Sequence, residues 1–159
     1  MFYSGFLLVK QGQYEAALPK LIEAAQLRPD AAVVWFELGK VLDNLQRYEE
    51  AVASFDKALE LEANDCDILR HLAFALMMLG RHEEAIDYFD KALQINPNDA
   101  GVYYNKACIY ALRSDVELSL ENLRRAIELE PERYRELAKT DAVFDGIRGD
   151  VRFQELLLG

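Results

Sequence analysis

Apolar side chains recur three or four positions apart along successive stretches of roughly 12 to 15 residues, the spacing that gathers them on one helical face. Short polar turns separate the stretches. One runs from near Ala32 to Leu45 and places Trp35, Leu38, Val41 and Leu42 together; the next, from near Tyr48 to Glu62, presents Ala51, Val52, Phe55, Ala58 and Leu59. The pattern predicts a chain of helical hairpins. Gly80 stands where one helix must end, because glycine takes the left-handed conformation that closes a helix at no steric cost. Asn64-Asp65 and Asn98-Asp99 suit the N-caps of the helices that follow, and Ser114-x-x-Glu117 reads as a capping box opening another.

The hairpins also repeat. Ala51 and Phe55 recur 34 residues on as Ala85 and Phe89, and other positions fall into the same register. Trp35, Leu69 and Tyr103 form one column, and Leu38 and Leu72 another. Gly5, Gly39, Ala73 and Ala107 hold small residues, as do Ala17, Ala51, Ala85 and Ser119, and again Ala24, Ala58, Ala92 and Ala126. Leu21, Phe55, Phe89 and Leu123 fill the bulky position between the last two columns, and Pro29, Pro97 and Pro131 close three repeats, with Ala63 in the fourth. Small residues let two backbones approach while Trp35 and Phe55 fill the remaining space. A lone hairpin cannot bury its apolar face, so such repeats gain stability by stacking in a quasi-one-dimensional array.

Trp35-Phe36-Glu37-Leu38-Gly39 followed by Ala51, Phe55 and Ala58 resembles the tetratricopeptide repeat, a 34-residue helix-turn-helix unit. The resemblance covers about residues 1 to 133 and divides them into four repeats, 1–31, 32–65, 66–99 and 100–133. It implies an all-α, right-handed superhelical solenoid. Met1 falls at the fourth position of its repeat, so the first helix is either short or the remainder of a trimmed array. The pattern decays in the last repeat, where Lys106 replaces the usual Leu and Ser119 the usual Ala. Residues 134–159 resemble the helical caps that end bacterial arrays, with Leu137, Phe144, Ile147, Phe153 and Leu156 covering the last helix and Asp141 and Asp150 as N-caps.

In this family the first helix of each repeat lines an inner, concave face. Carried over by position, the resemblance implies a partner-binding groove of Phe6, Phe36, Lys40, Arg70, His71, Phe74, Met77, Met78, Tyr104, Asn105 and Cys108. Phe2, Val33, Glu37, Asp43, Asn44, Asp67, Ala111 and Leu112 fall on the same face. An apolar line from Phe36 through Phe74 to Tyr104, rimmed by a few charges, suits a peptide or helix of a partner protein, with aromatics as anchors and methionines as an adaptable surface. One branch of the family grips C-terminal carboxylates with Lys, Asn and Arg on three successive first helices. Phe2, Phe6, Glu37, Arg70 and Phe74 occupy those places here, and starting one repeat later gives Phe36, Lys40, His71, Tyr104 and Cys108. Neither frame rebuilds that clamp.

Composition narrows the function further. With 18 basic against 28 acidic residues the net charge is -10, a field that opposes nucleic acid and anionic membrane surfaces. No apolar run approaches the roughly 20 residues of a spanning helix. The opening Phe2 to Val9 lacks the basic start and small-residue cleavage site of a signal peptide, so the expected location is the cytoplasm. Cys66 and Cys108 have no CxxC spacing and are expected to be reduced thiols; no metal and no cofactor are expected. His82 shares a column with Tyr14 and Tyr48 and reads as a packing residue, and Cys108 has no identifiable base beside it. The expected function is a non-catalytic protein–protein interaction scaffold. Two rival readings stand beside it: self-assembly as a homo-oligomer through the incomplete N-terminal repeat, and a regulatory or substrate-recruiting fragment of a larger enzyme.

Overall fold

The computed structural model describes the backbone of residues 2–159 and the side chains from Tyr3 onward, and every regular element among them is helical. Residues 1–95 and 96–159 form two compact units. The first holds α1 (Phe2–Lys10), α2 (Tyr14–Leu27), α3 (Ala32–Asn44), α4 (Tyr48–Leu61), α5 (Cys66–Met78) and α6 (His82–Ile95). Each helix packs on the next, and α1, α3 and α5 also touch in series, so three hairpins stack side by side as a solenoid.

The small columns set the spacing within each hairpin. A Cβ on Gly39 would lie 2.5 Å from the Phe55 ring, and Phe55 and Phe89 are fully buried. Ala51, Ala58, Ala73, Ala85 and Ala92 are equally sealed, which is why none tolerates a longer side chain without displacing a neighbour. The hairpin turns share one device. The N–H of Arg47 donates to the Leu42 carbonyl at 2.8 Å and that of Arg81 to the Leu76 carbonyl at 2.9 Å, the long return bond of a helix closed by a left-handed residue. Gly12 and Gly80 supply that residue in the outer two turns, whereas Gln46 adopts it at φ 58° in the middle one, at the steric cost any L-residue carries there.

Junctions between hairpins are held by side chains. Asp65 accepts a hydrogen bond from the Ile68 N–H at 3.0 Å, capping α5. The Trp35 indole N–H donates to the Pro29 carbonyl at 3.0 Å, which links the aromatic column to the proline column. Where Ala63 stands in place of proline, the aromatic place is taken by Leu69, which has no donor.

The second unit contains α7 (Ala100–Leu112), α8 (Val116–Leu129), α9 (Pro131–Thr140), a 3-10 helix (Ala142–Ile147) and α10 (Val151–Leu158). Its junction uses the same parts: Asp99 accepts from the Val102 N–H at 3.1 Å, and the Tyr103 hydroxyl donates to the Pro97 carbonyl at 3.2 Å. Asp115, not Ser114, caps α8, accepting from the Leu118 N–H at 3.2 Å. Ser114 has φ 61° and is the left-handed closing residue of the turn, so the cap falls one residue later than expected and, with Leu118 at the third helical position, is not a capping box. Ser119 is fully buried and its hydroxyl donates to the Ala107 carbonyl at 2.9 Å. That exchange of Ser for Ala thus adds a bond across the hairpin without adding bulk.

Beyond α8 the chain packs differently from a repeat. Phe144 and Phe153 are fully buried with ring centroids 5.6 Å apart, and Ile147 lies beside them in one core. Leu156 is partly buried against that core. Leu137, by contrast, is exposed. Pro131 starts α9 directly after α8, and the helical period then turns Tyr134 and Ala138 inward and Leu137 outward. Asp141 and Asp150 cap the last two helices, accepting from Val143 and Arg152 N–H groups at 3.1 and 2.9 Å. Arg148 donates to the carbonyls of Lys139 at 2.7 Å and Asp141 at 2.9 Å, filling acceptors that the end of α9 leaves unpaired.

Replacing Gly39 by Ala is expected to destabilise the fold by about 1 to 3 kcal/mol, the cost of forcing a methyl group into a packed core. Urea unfolding of both proteins measures it; equal midpoints would show that α3 and α4 are not in this contact.

Candidate partner-binding face

The inner face of the first unit is built on α3 and α5, with Phe6 half-buried on α1. Its floor is aromatic. Phe36 lies 6.0 Å from the buried Phe55 ring and meets His71 edge-on at 5.3 Å, while His71 lies 5.8 Å from Phe55. The groove floor is therefore an outward extension of the α3–α4 core. Lys40 places its ammonium 5.0 Å above the Phe36 ring and 2.7 Å from Glu37. On α5, Arg70 pairs with Asp67 at 2.9 Å. Phe74 and Met77 are half-buried, and Met78 and Val33 are about half exposed, at 47% and 50%. By helical spacing His71, Phe74 and Met78 share one face of α5.

Two titratable groups on this face are shifted by burial. Burial lifts the Asp43 carboxyl from 3.8 to about 6, and its Oδ1 is sealed from solvent with no donor against it. Burial lowers the His71 imidazole from 6.5 to about 4, with the Arg70 and Lys40 charges adding to the effect. His71 is thus a neutral ring at pH 7. Sequence position placed Asp43 on the inner face, but nothing in the pattern shows that its oxygen lacks a partner.

The expected groove residues of the second unit are placed otherwise. Tyr104 and Cys108 are buried, at 8% and 9% exposure, because the 3-10 helix lies against α7. The Tyr104 hydroxyl donates to Asp141 at 2.8 Å, and its ring lies 5.0 Å from Tyr134 and 5.8 Å from Phe144. Both residues belong to the core that the tail completes. Burial pushes the Cys108 thiol up to about 12, so it is not a thiolate. Asn105 remains half-buried on α7. The repeat register located these side chains; the non-periodic tail that covers them has no counterpart in it.

Among the described residues no group of three or more His, Cys, Asp or Glu side chains is placed to hold a metal ion, and no helix is long and apolar enough to cross a membrane. Neither Cys66 nor Cys108 is in a disulfide.

Models described as tetratricopeptide repeat match residues 5–66, 66–99 and 88–121. No curated protein matches the sequence. Among solved structures, "MamA MSR-1 C2" is 30% identical, with a TM-score of 0.76 over 83% of this chain and 76% of that one. MamA from Desulfovibrio magneticus RS-1 is 23% identical, with a TM-score of 0.80 over 98% of this chain and 90% of that one. YrrB, described as a TPR protein with an unusual peptide-binding site, is 21% identical, with a TM-score of 0.77 over 98% of this chain and 80% of that one.

The two shifted groups act on stability in opposite directions. With its carboxyl raised to about 6, native Asp43 holds a proton that the unfolded chain releases, so its contribution improves as pH falls through 6. With its imidazole lowered to about 4, native His71 stays neutral where the unfolded chain is protonated, so its contribution is full above 6.5 and is lost as pH falls toward 4. Between about pH 7 and about pH 4.5, Asp43→Asn should therefore lose stability more steeply than the parent on acidification, and His71→Gln less steeply. Denaturant unfolding across that range is the measurement, and parallel slopes for all three proteins would refute the assignment.

Proposed function

We propose that this chain, which belongs to the tetratricopeptide repeat family and has its non-catalytic protein-interaction architecture, holds a segment of a partner protein on the inner face of α1, α3 and α5. The observation that carries this reading is the row of incompletely buried apolar side chains, Phe36, Phe74, Met77 and Met78, over an aromatic floor already fixed by the core. Fully burying one such side chain is worth about 1.5 to 3 kcal/mol. Several together work against the cost of ordering a peptide. YrrB, a structural neighbour, is described as having an unusual peptide-binding site, which supports peptide binding by a fold of this kind. The footprint stays on the first unit, since Tyr104 and Cys108 are covered by the tail.

Self-association is the second reading, and it rests on α1, where Tyr3 and Leu7 are 81% and 58% exposed. A neighbouring copy stacked there would cover them as α3 covers the other side of the first hairpin.

A displayed library of random peptides selected on the parent protein should return binders whose affinity falls about tenfold or more, a loss of about 1.4 kcal/mol, in Phe74→Ala and in Met77→Lys. Selected peptides that bind both variants unchanged would place the site elsewhere. For the second reading, sedimentation at micromolar concentration should show a dimer that Leu7→Lys dissociates; a monomer for both proteins would remove it.

A further inference from the structure

The charged side chains of the inner face do not stand equal. On α3, Lys40 is paired with Glu37 at 2.7 Å, and on α5, Arg70 is paired with Asp67 at 2.9 Å. Each pair lies within its own helix and cancels its own charge. Asn44 is also satisfied within α3, donating to the Lys40 carbonyl at 2.7 Å. Asp43 remains. No ion pair reaches it among the described residues, and its Oδ1 is cut off from water with no donor in place. A carboxylate oxygen held that way disfavours the charged form, and a cation brought alongside the rest of this half-buried carboxylate favours it again. The chain as a whole carries a net charge of -10, which favours the approach of a cationic partner and opposes an anionic one.

We infer that the occupant of the inner face is a basic amphipathic peptide segment, whose apolar side chains rest on Phe36, Phe74 and Met77 and whose Lys or Arg pairs with Asp43. This rests on the groove reading above and adds the partner's chemistry to it. The apolar anchors set most of the affinity, and the cation selects among apolar segments, because a peptide without one leaves Asp43 desolvated and unmatched. An acidic segment meets the same carboxylate as a like charge and is rejected.

The test uses the same displayed library on the parent and on Asp43→Asn, which removes the charge while keeping the shape. Circular dichroism and thermal melting check that the variant is folded; loss of an unmatched buried charge should leave it at least as stable as the parent. Peptides selected on the parent should share one Lys or Arg at a fixed distance from their apolar residues, and those selected on Asp43→Asn should lack that preference. For the best parent-selected peptide, synthesised with its basic residue and with Gln in that place, affinity should fall about tenfold for either change alone. The two changes together should cost little more than one, the mark of a direct pair. Peptides that lose affinity in Phe74→Ala but show no basic preference, or bind Asp43→Asn unchanged, would overturn this inference and leave the groove reading intact. Peptides insensitive to Phe74→Ala, or a selection that yields no peptide above background, would overturn both.

Discussion

Everything in the first compact unit depends on how closely the two helices of a hairpin approach. At Gly39 a single added carbon would meet the Phe55 ring at 2.5 Å, so the ring lies in the space that a side chain on α3 would otherwise fill. Phe89 is as deeply buried, and the residue in the Gly39 column of its hairpin is Ala73, also fully buried. Close approach brings the flanking columns into van der Waals range, and each further hairpin then stacks on a surface already flat enough to receive it. The left-handed turn residue between the helices follows from the same constraint. Two antiparallel helices this near each other leave room only for a tight return, which Gly80 makes freely and Gln46 makes at φ 58°.

The same ring links the fold to the proposed groove. Phe55 sets the hairpin spacing from below and supports Phe36 and His71 from the other side, at 6.0 and 5.8 Å. A groove floor anchored in this way does not need to be ordered when a ligand arrives, so the entropy of binding falls on the peptide and on the flexible rim. Met77 and Met78 are that rim: unbranched, polarizable and only partly covered, they can follow the contour of different side chains. Rigidity and adaptability therefore belong to different residues of one surface.

How far the sequence alone carries depends on which interactions are periodic. The small columns, Phe55 and Phe89, and the caps at Asp65 and Asp99 were all legible, because each is fixed by neighbours within one repeat. Ser114 was misread by one residue because serine and aspartate side by side both suit a cap, and only the backbone conformation separates the left-handed closer from the capping residue. Leu137 was misplaced for a related reason. Pro131 begins α9 directly after α8, outside the repeat register, and the helical period of α9 then turns Tyr134 and Ala138 inward and Leu137 outward.

Tyr104 and Cys108 show the limit most clearly. Their positions in the repeat are those of inner-face residues, yet an inner-face position is open only if nothing outside the register lies on it. The tail does, and it is held there by bonds that have no periodic precursor: Tyr104 to Asp141, and Arg148 to the carbonyls at the end of α9. The burial of Phe144 and Phe153 makes this a core and not a loosely laid strap, since opening it would expose two aromatic rings at about 1.5 to 3 kcal/mol each. The tail thus covers the apolar surface of α7 on which a ligand contact would otherwise form. Inner-face positions are open in α3 and α5 and filled in α7, which separates a candidate binding residue from a packing residue although both occupy the same place in the repeat.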